Sequence, residues 1–431
     1  MISSFLSENS ATFQVSKDDI SWITSISFTS SIFSVLLFYC ASSRFGRKQF
    51  LLCIASFYVI VWALILCTSS MMVILICFWL YGIASSTQYI IGYTYIGEVS
   101  NPRNRELLGA TYCIATAVGT EVEYLISIFS SYRVLAIFPL VVSIMALFTS
   151  YLMVESPFYL VDKGDETQAL QNLCYLSNKN EDAEALSDLQ MVKEYVNEHK
   201  DNGLKNNLQI ILTPSNLKIT LIMILMNVLS VVHAAYLVSL TGSYVLKDFS
   251  ASIDGDVFFN IFFTSRIFLM ICSFYTVKRF DRKQMFLVGF PMTGLLHIIC
   301  SICFYIESIN GNSIYWLVNV IAIVLIAILI LAALSFSIAL EILKIEIFPY
   351  KMKEFYTSIM LFSGDWAAFA LVKSYFFVEP IIGNTFVMAI YALINFVTTI
   401  MVYYFVPQTK NKTLLQIRSD VNPEFRAAES T

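Results

Sequence analysis

The sequence predicts an all-α membrane protein built from two repeated helical bundles joined by a polar segment. Three observations carry that prediction. Of the 431 residues, 57% are hydrophobic and 13% charged, against roughly 25% charged in soluble domains. The apolar residues fall in runs of about 20, the length a helix needs to cross a hydrocarbon core. The polar residues between the runs also repeat in one order in the two halves, as they do in duplicated membrane bundles.

In chain order, membrane spans are expected near 21–40, 50–68, 71–93, 107–129 and 133–153. After the polar stretch they continue near 216–240, 257–277, 284–305, 313–340, 355–378 and 383–405, which makes eleven helices, five and then six. The chain thus divides into a first transmembrane half (1–154), a linker (155–214), a second half (215–406) and a tail (407–431). For the duplication to balance, a sixth helix would precede Met1, and the first half is expected to lack it. Within the linker, Ala169, Leu170, Leu173 and Leu176 share one amphipathic stripe and Leu186, Leu189, Val192 and Val196 a second, which predicts two short surface helices.

The repeat itself is read from three segments. Arg44-Phe45-Gly46-Arg47-Lys48-Gln49-Phe50 returns as Arg279-Phe280-Asp281-Arg282-Lys283-Gln284-Met285-Phe286. The run from Tyr95 through Glu98 to Arg105 and Glu106 returns as Leu343 through Glu346 to Lys353 and Glu354. Val154-Glu155-Ser156-Pro157 is echoed by Val406-Pro407-Gln408-Thr409-Lys410. Lys and Arg crowd the loops that hold these segments, while the opposite loops carry only Lys17, Arg133 and Lys247. Cationic loops stay on the cytoplasmic side, so the repeats, the linker and the C-terminus are expected there and the N-terminus outside.

Other chemistry finds little support. The nine cysteines are scattered through apolar helices, and the Cys300/Cys303 spacing has no His or carboxylate cluster beside it. Asn411-Lys412-Thr413 falls on the side where glycosylation does not occur. No nucleophile with a positioned base, phosphate loop or metal cluster points to an enzyme. The net charge of −4 gives no basic surface for nucleic acid. The partners implied are a lipid bilayer and a small solute, with no cofactor, and the oligomeric state is left open.

Taken together and in order, these segments resemble the sugar porter family of the major facilitator superfamily, and most of all the insect facilitated trehalose and glucose transporters. Ser43-Arg44-Phe45-Gly46-Arg47-Lys48 is similar to the family's D-R-x-G-R-K, and Tyr95 to Glu106 to its Y-x-x-E-x-x-x-x-x-x-R-G. Glu155-Ser156-Pro157 with Leu160, Glu346-Ile347-Phe348-Pro349 with Lys353, and Pro407 to Thr413 resemble its P-E-S-P-x-x-L, E-I-F-P-x-x-x-R-G and P-E-T-K-G-K-T. The resemblance implies a major facilitator fold and alternating access. It also implies a salt-bridge network at the cytoplasmic helix ends that holds an inner gate, drawn from Arg44, Arg47, Glu98, Arg105, Glu155, Arg279, Arg282, Glu346 and Lys353. The plainer reading is positive-inside topology with solvated carboxylates.

Where the family places its sugar-binding amides this chain departs. Its Q-Q-x-S-G-x-N aligns with Ser230 to Tyr236, another glutamine with Cys113, and the tryptophan before E-I-F-P with Glu341. The gate aspartates have become Ser43 and Lys278, and a glycine has become Asp281. Ionisable groups inside a bilayer cost about 2.5–3.5 kcal/mol and mark function, which directs attention to Glu121, Glu123, His233, Arg266, Glu341, Asp365 and Lys373. Asp365-Trp366 falls where the family carries an asparagine-tryptophan pair on its cavity, and Tyr236 shares a helix face with His233. The candidate substrate contacts are therefore His233, Tyr236, Glu341, Asp365 and Trp366. Implied is facilitated transport of a trehalose, hexose or polyol, the alternative being a non-transporting sugar receptor or an inactive relative.

Overall fold

The computed structural model of the chain describes residues 17–41, 44–100, 105–129, 132–177, 183–199, 209, 211–232, 268–269, 272, 276, 279–310, 315–337, 339–340, 343 and 353–408. All regular structure among them is helical. Helices α1 (Lys17–Thr29) and α2 (Ser31–Ala41) make one apolar run interrupted at Ser30. The interruption follows from serine chemistry. Ser25 donates to the Ser21 carbonyl at 2.6 Å and Ser31 to the Phe28 carbonyl at 3.0 Å, back-bonding that bends helices.

The same serines set the packing of the first half. Ser25, Ser30, Ser31 and Ser34 are fully buried, and Ser34 donates across to the Ile83 carbonyl at 3.0 Å. That carbonyl lies in α4 (Met71–Val99), where a side chain in place of Gly82 would run into the Ser27 carbonyl. Small residues on facing helices let the backbones close up where lipid supplies no hydrophobic drive. Helix α3 (Arg47–Cys67) packs against α4 and against α6 (Tyr132–Leu152), and α5 (Arg105–Phe129) lies between these in sequence. On α6, Val141, Ile144, Met145 and Phe148 stay exposed, as a lipid-facing surface requires.

Among the described residues of the linker are the helices α7 (Pro157–Asp162), α8 (Glu166–Ser177) and α9 (Ala183–His199). Leu160, Ala169 and Leu189 are buried together, with Val161, Leu170 and Leu173 packed around them. Lys193 on α9 pairs with Glu166 on α8 at 2.6 Å. Gly164, at φ 84°, makes the turn between α7 and α8, a conformation that costs only glycine nothing. Of the expected stripes, Ala169, Leu189 and Val192 are buried while Leu176 and Leu186 are exposed.

In the second half come α10 (Pro214–Val232), α11 (Arg282–Asn310) and α12 (Tyr315–Ala332), the last running into a wide π turn over Ala333–Ser337. The last helix among the described residues, α13 (Lys353–Phe405), joins two expected spans, 355–378 and 383–405. Its 53 residues would reach about 80 Å if straight, far beyond one bilayer. Gly383, at φ 76° and ψ 163°, reverses the chain instead. As a result Tyr375 donates its hydroxyl to Asn384 Oδ1 at 3.2 Å, although nine residues separate them. The expected span 257–277 lies almost wholly outside the described residues. Seven described helices are long and apolar enough to cross a membrane, with α10 a shorter apolar one.

Two compact units result. One comprises Ile26–Thr116 and Ser130–Ile210, so the linker helices belong with the first-half helices. The other comprises Met1–Ser25, Ala117–Phe129 and Ile211–Thr431, with α11 and α10 packed on α13 and α12 on α11.

Candidate functional site

Helix α3 begins with a glycine, Gly46, so no side chain on its own cap meets its first amides. Such amides carry a partial positive charge and demand an acceptor. Glu155 supplies it from the far side of the half. Its Oε1 accepts from the Lys48 amide at 3.1 Å and from the Ser156 amide at 2.9 Å. The carboxylate lies so close over residue 46 that any Cβ there would collide with it. Glycine thus leaves room for the visiting carboxylate in this position, while its φ of −66° would suit any residue.

The loop bearing Glu155 is held from two more directions. Tyr95 of α4 donates to the Val154 carbonyl at 2.8 Å, and Asn172 of α8 donates to the Glu155 carbonyl at 2.9 Å. Ser156 then caps α7, accepting from the Tyr159 amide at 3.4 Å, with Pro157 as its first residue. One short loop therefore ties α3, α4, α7 and α8 together.

Beside it, Arg47 makes a forked contact with Glu98. Arg47 Nε donates to Oε1 and Oε2 at 3.2 and 3.0 Å, and Nη2 to Oε1 at 2.9 Å. The side chains are 21% and 13% exposed, so the pair is screened far less than a surface pair. Arg44 is exposed, and its carbonyl accepts from the Tyr159 hydroxyl at 3.2 Å. The Arg47 guanidinium lies over the Tyr159 ring, 5.8 Å from its centroid. Burial first, then the charges of Glu155 and Asp162, raise the Tyr159 phenol above its ordinary value while Arg47 lowers it. The hydroxyl accordingly stays protonated and remains a donor.

The second half repeats part of this geometry. Lys48 Nζ lies 5.7 Å from the ring centroid of Tyr151, and Lys283 Nζ lies 5.7 Å from that of Tyr403. Tyr151 stands three residues before Val154, and Tyr403 three before Val406. At the start of α11, however, Gly46 is replaced by Asp281, which is 8% exposed. Arg282 is half-buried and Arg279 exposed. Glu346 and the side chains of Arg105 and Lys353 lie outside the described residues.

Of the candidate substrate contacts, Asp365 and Trp366 stand on the first arm of α13, Asp365 half-buried and Trp366 40% exposed. Just before them, α10 and α13 are pinned together. The Asn227 amide donates to the Met360 carbonyl at 2.7 Å and to Ser363 Oγ at 3.1 Å, and a Cβ at Gly364 would sit 2.9 Å from that amide nitrogen. His233, Tyr236 and Glu341 lie outside the described residues.

A sequence model described as "Sugar (and other) transporter" matches residues 1–420. The chain belongs to this family. Among curated relatives, the facilitated trehalose transporter Tret1 of Drosophila virilis is 22% identical over 394 residues, which are 89% of this chain and 42% of that one. This chain therefore spans less than half the length of that relative. The arabinose-proton symporter of Bacillus subtilis (strain 168) is 22% identical over 402 residues, 87% of this chain and 81% of that one. The inward open conformation of the xylose transporter XylE from E. coli superposes with a TM-score of 0.76 at 18% identity, covering 97% of this chain and 91% of that one. The fold is thus the all-α major facilitator fold of a sugar porter family member.

Against the family motifs, two features stand outside the sequence reading. Glu155 was expected to meet arginines, and its carboxylate is found on backbone amides at a helix start. Asn227 was not singled out, although a lone amide inside an apolar run is a signal that could have found it.

Proposed function

We propose that this family member is a facilitative carrier that moves a small sugar, such as trehalose, a hexose or a polyol, across a membrane by alternating access. The observation that carries the reading is the match to a sugar transporter family along residues 1–420. In this reading Asp365 and Trp366, with His233, Tyr236 and Glu341, line the solute path. The Arg47–Glu98 fork and the Glu155 cap hold the inner end shut, with Arg44, Arg105, Arg279, Arg282, Glu346 and Lys353 completing the network. Ion pairs of this kind bias two states that differ by a few kcal/mol. The linker, the tail and the repeated motifs face the cytoplasm, and the protein sits in the plasma membrane.

Uptake of labelled trehalose, glucose, xylose and arabinose into proteoliposomes checks the reading. Saturable uptake of at least one sugar without an imposed proton gradient is expected. Uptake that appears only with such a gradient would replace facilitation by proton coupling. Binding without any flux would favour the second reading, a sugar receptor, to which the replacement of the family's amides by Ser230 to Tyr236 and Cys113 points.

A further inference from the structure

Near one end of the first arm of α13 stands a lysine, Lys373, in a stretch that is aromatic or aliphatic but for it and Ser374. Its ammonium lies over the indole of Trp22 in α1, 3.5 Å from the centroid, close to the ring in the arrangement a cation–π contact favours. Asp18 stands one turn before Trp22 on α1 and acts on the same charge. Trp22 and Lys373 belong to one compact unit, and α1 passes into the other unit only after Ser25. Aromatic rings then lead along α13 away from this contact. Trp22 and Phe369 lie 6.4 Å apart, Phe369 and Trp366 5.8 Å, and Trp366 and Phe362 6.0 Å. Phe369 thereby connects the lysine contact to the candidate solute residue Trp366.

We infer that Trp22 and Lys373 form a clasp at the outer end of the solute path, which is closed in this structure and opens in each transport cycle. The inference rests on the transport reading for its purpose and on geometry for its existence. A bare ammonium in a membrane span needs a partner, and the Trp22 ring face supplies one. Opening exchanges that partner for water, which an ammonium near the membrane surface can reach by extending its stem. Both states are thus open to Lys373. An apolar residue at 373 could pack on the ring in the closed state but would gain nothing from water in the open one. The ring series couples the clasp to the solute, since a sugar seated against Trp366 presses on Phe369 and through it on Trp22.

The test has two arms. In detergent-solubilised protein, the rate at which an amine-reactive ester modifies Lys373 is read by peptide mass spectrometry, with Lys163 as an internal reference. The Trp22→Leu variant should raise the Lys373 rate about two- to thirtyfold, the range of cation–π contacts, Trp22→Phe less, and Lys163 not at all. Equal rates in native protein and W22L would overturn the clasp. In proteoliposomes, K373M and W22L should each change the maximal sugar uptake rate by a similar factor, the double variant no more than either alone, and K373R should stay close to native. Independent effects of the two single variants, or K373R behaving as K373M, would remove the clasp from the cycle. If the native protein takes up none of the sugars, the transport reading fails, and the labelling rates alone decide whether the clasp exists.

Discussion

Glu98 and Arg47 share a fork of three hydrogen bonds while both side chains are mostly shielded. Removing one partner therefore leaves a poorly solvated charge, between the exposed limit of about 0–1 kcal/mol and the buried limit of about 3–5 kcal/mol. Glu98→Gln is expected to lower stability by about 1–3 kcal/mol, read as a fall in thermal midpoint in detergent. Arg47→Lys should recover little, because an ammonium cannot present the fork. Gly46 makes a different kind of demand. Gly46→Ala drives a methyl group into the Glu155 carboxylate, so it should destabilise the protein by an amount that Glu155→Ala largely absorbs. Thermal midpoints of the two single variants and the double variant would measure that non-additivity.

Helix ends show what the duplication has kept and what it has exchanged. In the first half a glycine begins α3 and a glutamate arrives from the linker; in the second, Asp281 precedes α11 and the tail offers the neutral, exposed Gln408. The second helix start thus carries an acidic residue of its own in the chain, where the first receives one from the linker. An Asp281→Gly variant should lose about 0.3–2 kcal/mol of helix-start stabilisation, and adding Gln408→Glu should restore part of it, as followed by thermal unfolding. At the turn of α13, Gly383 holds a φ of 76° with an extended ψ of 163°, a region essentially closed to other residues. Gly383→Ala is expected to cost about 1–3 kcal/mol or more, and a reduced yield of monodisperse protein with a lower thermal midpoint would report it. The linker helices lean on their own small core of Leu160, Ala169 and Leu189. Leu189→Ala should therefore loosen that subdomain by about 2–5 kcal/mol locally, visible as faster amide exchange in α7 to α9.

For the molecule as a whole, composition and the length of the apolar runs were enough to read a helical membrane protein, because a bilayer leaves few other ways to satisfy a backbone. The repeated motifs were enough to read the duplication and the family, since cations and carboxylates at helix ends keep a fixed spacing along the chain. Arg47 and Glu98 were legible for the same reason. What the sequence could not display was the destination of each side chain. Glu155 looked like a partner for arginine and is found on the amides of α3. Lys373 was marked only as an ionisable group in a membrane span and is found over Trp22. Asn227 was not singled out at all and is found holding α10 to α13. Each of these contacts joins residues more than 100 positions apart in the chain, and no local pattern specifies a pair so distant. The sequence by itself determined that this chain is a duplicated bundle of membrane helices with charged helix ends. Only the tertiary structure decided which amide, ring or carbonyl each polar group meets, because that choice depends on how closely two helices approach.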